Sequence, residues 1–397
     1  MHILVTSIID LEKTSYSRLH HFIDYLLRKG HKITVLSIKD NWKHKGIKQN
    51  SELVKKIKII HISNKGSLIK QKIDAVVNIK KLIKKINLDD VDVHLSYNSM
   101  VLSYFIIKEL NKKGVKTVYD LADDLPEMVA TSPQIPFFLR GIAKAASRFF
   151  LYKDLSMSSI VTITAKEFES SMGIKKYNHV LLPNGVDIAK FSKTKKKEKG
   201  FVVGYLGALR EWVDLRDMIR AAYELSKDSH YRKIKVLVVG GEEDLPRYKK
   251  FVKENNISIV EFTGNVPYNK VKDYINKMDI ATIPFKKNRV TDGTCPLKML
   301  EYMACEKPVI ATRLNEIRNM AGDNVLYADG IEEWKKQISL LYNDPVLRER
   351  MGKKGREIAK SYDWAKICRK MEKILYENSK LKHKETKSRE KDHKKSK

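Results

Sequence analysis

The 397-residue sequence predicts an α/β protein built from two doubly wound domains facing each other across a cleft. Length is the first observation behind that expectation, because a chain of this size exceeds one hydrophobic core and defaults to two domains. The second is the alternation, in both halves, of short continuous Val/Ile/Leu runs with amphipathic stretches, the pattern of parallel strands buried on both faces and joined by helices. The third is the break between the halves. There LLPNGVDIAKF (181–191), with its Asn184-Gly185 turn signal, runs into the lysine run at 193–199.

In the first half, residues 3–9 read as a strand, 19–28 as a helix ended by Gly30, and 33–38 as a second strand, a βαβ opening. A helix over 72–86 puts Ile73, Val76, Val77, Ile83 and Ile86 on one side and lysines on the other. Strands follow at 91–95 and 117–121, then a helix over 142–156, a strand at 160–164 and a polar helix reaching Ser171. In the second half strands fall at 202–206, 235–239, 258–262, 280–283 and 309–312, with helices at 215–225, 247–255, 268–277 and 297–305 between them. Helices at 331–342, 346–361 and 364–376 close the folded part. The lysine-rich stretch after them lacks apolar periodicity and reads as disordered.

Composition narrows the partners. The 42% hydrophobic content supports packed cores, and Cys295, Cys305 and Cys368 make neither a pairable framework nor a CxxC metal spacing, which fits a reducing cytoplasm. The first strand follows the N-terminus without a basic leader, and no apolar run reaches membrane-spanning length; the expectation is a cytoplasmic protein, soluble or peripheral on a membrane. The net charge of +30 concentrates anions without choosing among them, and lysine-rich usage is also a thermophile's habit. Lysines are spread and not interleaved with stacking aromatics, which argues against nucleic acid. Phe137, Phe138, Ile142, Phe149 and Phe150 lie among Arg140, Lys144, Arg148 and Lys153, the pattern of a helix resting on anionic lipid or of an ordinary helix before a strand.

The most informative stretch is GTCPLKMLEYMACEKPVIAT (293–312). Pro296 suits a first helical turn, which makes Thr294 or Cys295 the cap. Leu297, Leu300, Met303 and Ala304 recur at helical spacing, setting Lys298 near the exposed helix start and Glu301 one turn further on. Unpaired N–H groups, the positive end of the helix dipole and Lys298 together suit a diphosphate.

With KGHKITV (29–35), VYDLADDLPE (118–127), LLPNGVD (181–187) and Phe191, VVGYLGALREWVDL (202–215), VLVVGG (236–241) and FTGNVP (262–267), this stretch occurs in an order and spacing that identify a resemblance. Over nearly its whole length the chain resembles the retaining glycosyltransferases of family 4, also called glycosyl transferases group 1, which have the GT-B fold of two Rossmann-like domains. The resemblance implies that residues 1–182, completed by a helix at 363–377, bind the acceptor and that 201–362 bind the nucleotide sugar, while the turn signal and lysine run place a hinge at 183–200 and composition a basic disordered tail at 378–397. It implies transfer of a hexose-type sugar, with retention, from a nucleotide-diphospho-sugar to a hydroxyl of a glycan or lipid-linked acceptor, with no cofactor and no metal. A sugar-nucleotide epimerase of the same fold is the competing reaction, against which the LPNGVD and EYMA sequences weigh. A basic membrane-surface binding protein is the competing class. Donor base, sugar, acceptor and oligomeric state stay open.

By the same resemblance Glu301 matches the glutamate that accepts hydrogen bonds from both ribose hydroxyls. Gly207, Gly240 and Gly241 match turns that approach the nucleotide, Gly264 and Val266 the loop that edges its base, and Gly293, Thr294, Cys295 and Leu297 the approach to the diphosphate. Departures are informative. The first family glutamate falls at Gly293, leaving Asp292 as the nearest carboxylate. Glu211 and Trp212 stand where a Lys-Gly pair is common, so Arg210 with Lys298 is the candidate diphosphate pair. The N-terminal glycine pair is replaced around Ser15, Tyr16, Ser17 and Arg18, with Tyr16 and Arg18 as candidate acceptor contacts and the serines equally suited to capping a helix. Ala122 replaces a frequent histidine, and Asp123 is the candidate catalytic carboxylate, with capping as its competing role.

Overall fold

A computed structural model of the chain describes all residues except 13–15, 38–50, 62–76, 78, 99–100, 133–134, 195–198, 242–243 and 396–397. The chain forms two compact units, one of Met1–Pro183 with Ala365–Lys397 and one of Asn184–Trp364. Of the helix expected over 72–86, Ile79–Lys84 is helical, while Ile73 and Val76 lie outside the described residues. So does Ser15.

The first unit is a parallel sheet of β1 (His2–Ser7), β2 (Lys32–Ser37), β3 (Lys58–His61), β4 (Val93–Tyr97), β5 (Lys116–Leu121), β6 (Ile160–Ile163) and β7 (His179–Leu181). The spatial order is β3-β2-β1-β4-β5-β6-β7, so the direction of winding reverses between β1 and β4. The central strands are buried along nearly their whole length, as continuous apolar runs require when helices cover both faces. Ser17 precedes the Arg18–Arg28 helix and donates its N–H to Nδ1 of His20 at 3.0 Å, so this serine serves as a cap.

The second unit is a parallel sheet of β8 (Phe201–Leu206), β9 (Ile234–Val239), β10 (Val260–Gly264), β11 (Ile280–Ile283), β12 (Val309–Ala311) and β13 (Val325–Tyr327), ordered β10-β9-β8-β11-β12-β13. Winding reverses between β8 and β11. One large core holds the unit together, running from Val203 and Val236 through Met299, Met303 and Ile310 to Trp334. Gly185 is irreplaceable at the unit's start, since a Cβ there would stand 2.7 Å from the Trp364 ring.

The last helix differs from expectation. It runs Trp364–Lys395, without the unstructured tail predicted from 378. Residues 378–395 contain no glycine or proline and are rich in Lys and Glu, so nothing local stops the helix. It belongs to the first unit, where Glu372 accepts hydrogen bonds from Tyr25 (3.1 Å) and His31 (3.0 Å), and Asn378 accepts one from Ser159 (2.6 Å).

Candidate functional site

In an open parallel sheet, ligands bind beyond the carboxyl ends of the strands where winding reverses. In the second unit that point lies between β8 and β11. The chain leaving β8 passes through Gly207, and the chain leaving β11 reaches the Leu297–Ala304 helix. The ends of β8, β9 and β10 are nearly bare backbone. Gly207 has φ +146°, Gly240 φ +123° and Gly264 φ +69°, conformations that side chains rarely adopt. They also touch. Gly240 donates its N–H to the Gly264 carbonyl at 2.9 Å, and a Cβ on Gly240 would stand 2.2 Å from the Gly207 carbonyl oxygen. Gly240→Ala is therefore expected to cost about 1–3 kcal/mol of stability. A thermal melt without ligand checks it; an unchanged midpoint would mean the floor yields easily.

Lys298 stands over this floor. Its Nζ donates to the Tyr205 hydroxyl at 2.9 Å, lies 4.7 Å from the Tyr205 ring centre and 4.8 Å from that of Phe285, and sits 2.6 Å from where a Gly207 Cβ would be. Burial pushes its pKa down to about 8, with the Glu301 charge pulling the other way. Among the described residues no carboxylate reaches salt-bridge distance of it. An ammonium held over bare backbone, with no carboxylate in direct contact and only the Glu301 charge one turn away, can receive an anion.

Glu301 is one turn along the same helix. Burial pushes its pKa up to about 7, against the pull of the Tyr268 hydrogen bond and of Lys298 and Lys190. The Tyr268 hydroxyl donates to Oε1 at 3.3 Å, and Lys190 Nζ lies 3.9 Å from the centre of the Tyr268 ring. Tyr268 and Lys190 are members of this cluster that the sequence did not single out. Tyr302, next to Glu301, turns inward and fastens the helix to β8: its hydroxyl accepts from the Leu206 N–H (2.8 Å) and donates to the Leu206 carbonyl (3.2 Å).

The helix start is a correction. The cap position is Pro296 (φ −79°, ψ 109°), not Thr294 or Cys295, and no side chain caps the first-turn N–H groups. Thr294 instead donates its hydroxyl to the Val290 carbonyl at 2.7 Å, and the Cys295 side chain packs into the core while its carbonyl accepts from Asn184 at 3.2 Å. Neither side chain is thus disposed toward a donor. A proline cap leaves the first amides for an anion, which suits the site better than a serine-like cap would. Leu297 is exposed at the helix start, and Gly293 is buried, ending the short Arg289–Asp292 helix. Asp292 accepts from the Asn315 N–H at 3.2 Å, a loop-fastening contact. Arg210 is exposed on the loop after β8, 5.7 Å from the Trp212 ring centre. Gly241 abuts Asn265, and Val266 packs partly against the core.

In the first unit the three aspartates of VYDLADDLPE separate by role. Asp120 is fully buried in a two-bond pair with Arg18, Nε to Oδ2 at 2.8 Å and Nη2 to Oδ1 at 2.9 Å. Arg18 is only 3% exposed and also donates to the carbonyls of Leu182 (2.7 Å) and Pro183 (2.6 Å), so it is a structural ion-pair residue, not an acceptor contact. Asp124 caps the Leu125–Thr131 helix by accepting from the Glu127 N–H. Asp123 remains open. Asn98 holds it, donating to Oδ2 at 2.9 Å while its own Oδ1 accepts from the N–H groups of Ala122 and Asp123. Asn98 does this at φ 47°, a left-handed conformation rare outside glycine. The Asp123 pKa is raised, chiefly by desolvation, with the Asn98 bond opposing and the Asp120 charge adding. Tyr16 is 41% exposed and stacks on His20, its ring centre 5.2 Å away.

Residues 187–358 match the family model for glycosyl transferases group 1. An uncharacterized glycosyltransferase of Methanocaldococcus jannaschii is 28% identical over 146 residues, 36% of this chain and 40% of that protein. The alpha-galactosylglucosyldiacylglycerol synthase of Streptococcus pneumoniae is 24% identical over 250 residues, 60% of this chain and 65% of that protein. The chain spans about half the length of the first of the curated relatives it matches. Among solved structures, Anabaena HepE in complex with UDP superposes with a TM-score of 0.68 at 16% identity, covering 95% of this chain and all of that one. Two parallel-sheet units, glycine-floored strand ends and these likenesses agree: the chain has the GT-B fold, and its residues 187–358 are similar to the glycosyl transferases group 1 domain.

Proposed function

We propose that this protein is a retaining glycosyltransferase that moves a hexose-type sugar from a nucleoside-diphosphate donor to a hydroxyl of a glycan or lipid-linked acceptor. The observation that carries the proposal is the pairing on one helix of Lys298, a cation over the glycine floor with no carboxylate in direct contact, with Glu301 one turn away. Lys298 and the uncapped amides meet the diphosphate, and Glu301 accepts from the vicinal ribose hydroxyls. The bond from the anomeric carbon to the diphosphate oxygen breaks, the bond to the acceptor oxygen forms on the same face, and the acceptor proton passes to the departing oxygen. The protein supplies position and charge. Asp123, fixed by Asn98, is the group assigned to the acceptor hydroxyl.

The HepE complex with UDP supports a uridine donor as the first to try. A thermal-shift panel of UDP, GDP and their sugars, followed by product analysis with and without hydroxyl acceptors, tests the proposal. Nucleotide conversion without an acceptor would favour an epimerase, and no shift with any nucleotide would defeat the donor site.

The pH dependence has a defined sign. Donor binding needs Glu301 ionised and Lys298 charged, so affinity is expected to peak between about 7 and about 8 and to fall on both sides. Titration calorimetry against pH checks this; Glu301→Gln should remove the acidic limb and leave the alkaline one. Folding stability shows the same groups with opposite effect. The raised Glu301 pKa makes the unliganded protein lose stability as pH rises from the ordinary carboxylate range to about 7, and the lowered Lys298 pKa makes it regain some from about 8 upward.

A further inference from the structure

The Arg140–Met157 helix of the first unit buries one face and, among the described residues, leaves the other exposed. Leu151, Asp154 and Leu155 face inward, and Phe150 turns onto Tyr104, ring centres 5.6 Å apart. On the outer side Phe137 is 84% exposed, Phe138 78%, Ile142 69% and Phe149 56%. Ile142 and Phe149 are seven residues apart and so share a face, with Phe138 one turn before them. Single exposed apolar residues are ordinary; four large ones along one helix and the short turn leading into it mark an interaction surface.

Charge identifies the partner. From Phe137 through Lys153 the sequence contains Arg140, Lys144, Arg148 and Lys153 and no acidic residue. Three of these cations stand at successive four-residue spacings, where like charges repel along a helix. Lys144 is met by Glu127 at 2.8 Å, while Lys153 lies 5.8 Å from the Phe149 ring centre and points its charge outward beside it. With the Lys144 charge taken up by Glu127, the apolar stripe is left flanked by Arg148 and Lys153, which fits a layer with an apolar interior and an anionic surface. Among the described residues no helix is long and apolar enough to cross a membrane.

We propose that this face seats the first unit on an anionic phospholipid surface, with Phe138, Ile142 and Phe149 entering the acyl boundary and Arg148 and Lys153 meeting lipid phosphates. The full-length chain is sedimented with phosphatidylcholine vesicles, with and without phosphatidylglycerol, at low and high salt. Binding is expected only with phosphatidylglycerol and is expected to weaken with salt. Because lysine is abundant elsewhere, the deciding variant keeps every charge: Phe138→Ser with Ile142→Ser and Phe149→Ser should reduce vesicle partition about tenfold or more. Its thermal midpoint should stay put, since all three side chains are exposed. Hydrogen exchange on the unsubstituted chain gives a second measurement, with protection of 137–149 expected on adding anionic vesicles. No binding at low salt, equal binding by the variant, or no protection of this segment would overturn the proposal; the first result would point to an acidic protein partner instead.

Discussion

Lys298→Met should lower transfer efficiency by about 10²–10³-fold while leaving the fold intact. The methionine stem can follow the lysine's path between Tyr205 and Phe285, so packing is kept and only the charge is lost. Burial disfavours this ammonium more than the nearby Glu301 charge favours it. Removing it therefore relieves a cost in the empty protein and is expected to raise the thermal midpoint slightly. In the presence of a nucleoside diphosphate the order should reverse, because only the parent has a cation to meet the phosphates. Opposite shifts with and without ligand distinguish a binding lysine from a structural one. Equal activity in parent and variant would remove Lys298 from the site.

The contrast between what the sequence made legible and what it did not follows from contact distance along the chain. Central strands announce themselves by continuous apolar runs, and the two-unit α/β architecture was readable from them. The strands not foreseen, β3, β7 and β13, all lie at sheet edges and are three or four residues long. An edge strand packs fewer neighbours and so carries a weaker pattern. Lys298 and Glu301 were legible because they share one helix with a recognisable start. Tyr268 and Lys190 were not: each meets the Glu301 cluster only through the fold, and Lys190 sits in a stretch that reads as charged linker. The helix start itself was misjudged because a proline can stand at the cap as well as inside the first turn, and only its ψ of 109° separates the two. Arg18 reads from sequence as a candidate acceptor contact for the same reason of distance, its partner lying 102 positions away.

That partner gives the other large effect. Asp120→Ala is expected to destabilise the first unit by about 3–5 kcal/mol, because it leaves the Arg18 guanidinium buried without its counter-charge. The pair does more than neutralise. Thr162 donates its hydroxyl to Asp120 Oδ1 at 2.5 Å, Arg18 lies 4.6 Å from the Phe22 ring centre, and the remaining guanidinium donors hold the carbonyls of Leu182 and Pro183, where the chain leaves the unit. Losing the aspartate thus loosens β5 against β6 and the exit segment together. An apolar replacement of both partners behaves differently, since the desolvation cost of two charges disappears with them. Arg18→Met with Asp120→Leu should recover most of the lost stability, and urea unfolding of the parent, both single variants and the double variant measures the coupling. The double variant also reports on Asp123, whose raised pKa includes the Asp120 charge and, opposing it, Arg18. If the pair serves only the fold, the stable double variant should retain transfer activity. If that activity is lost while stability returns, the ion pair positions the Asp123 carboxylate as well.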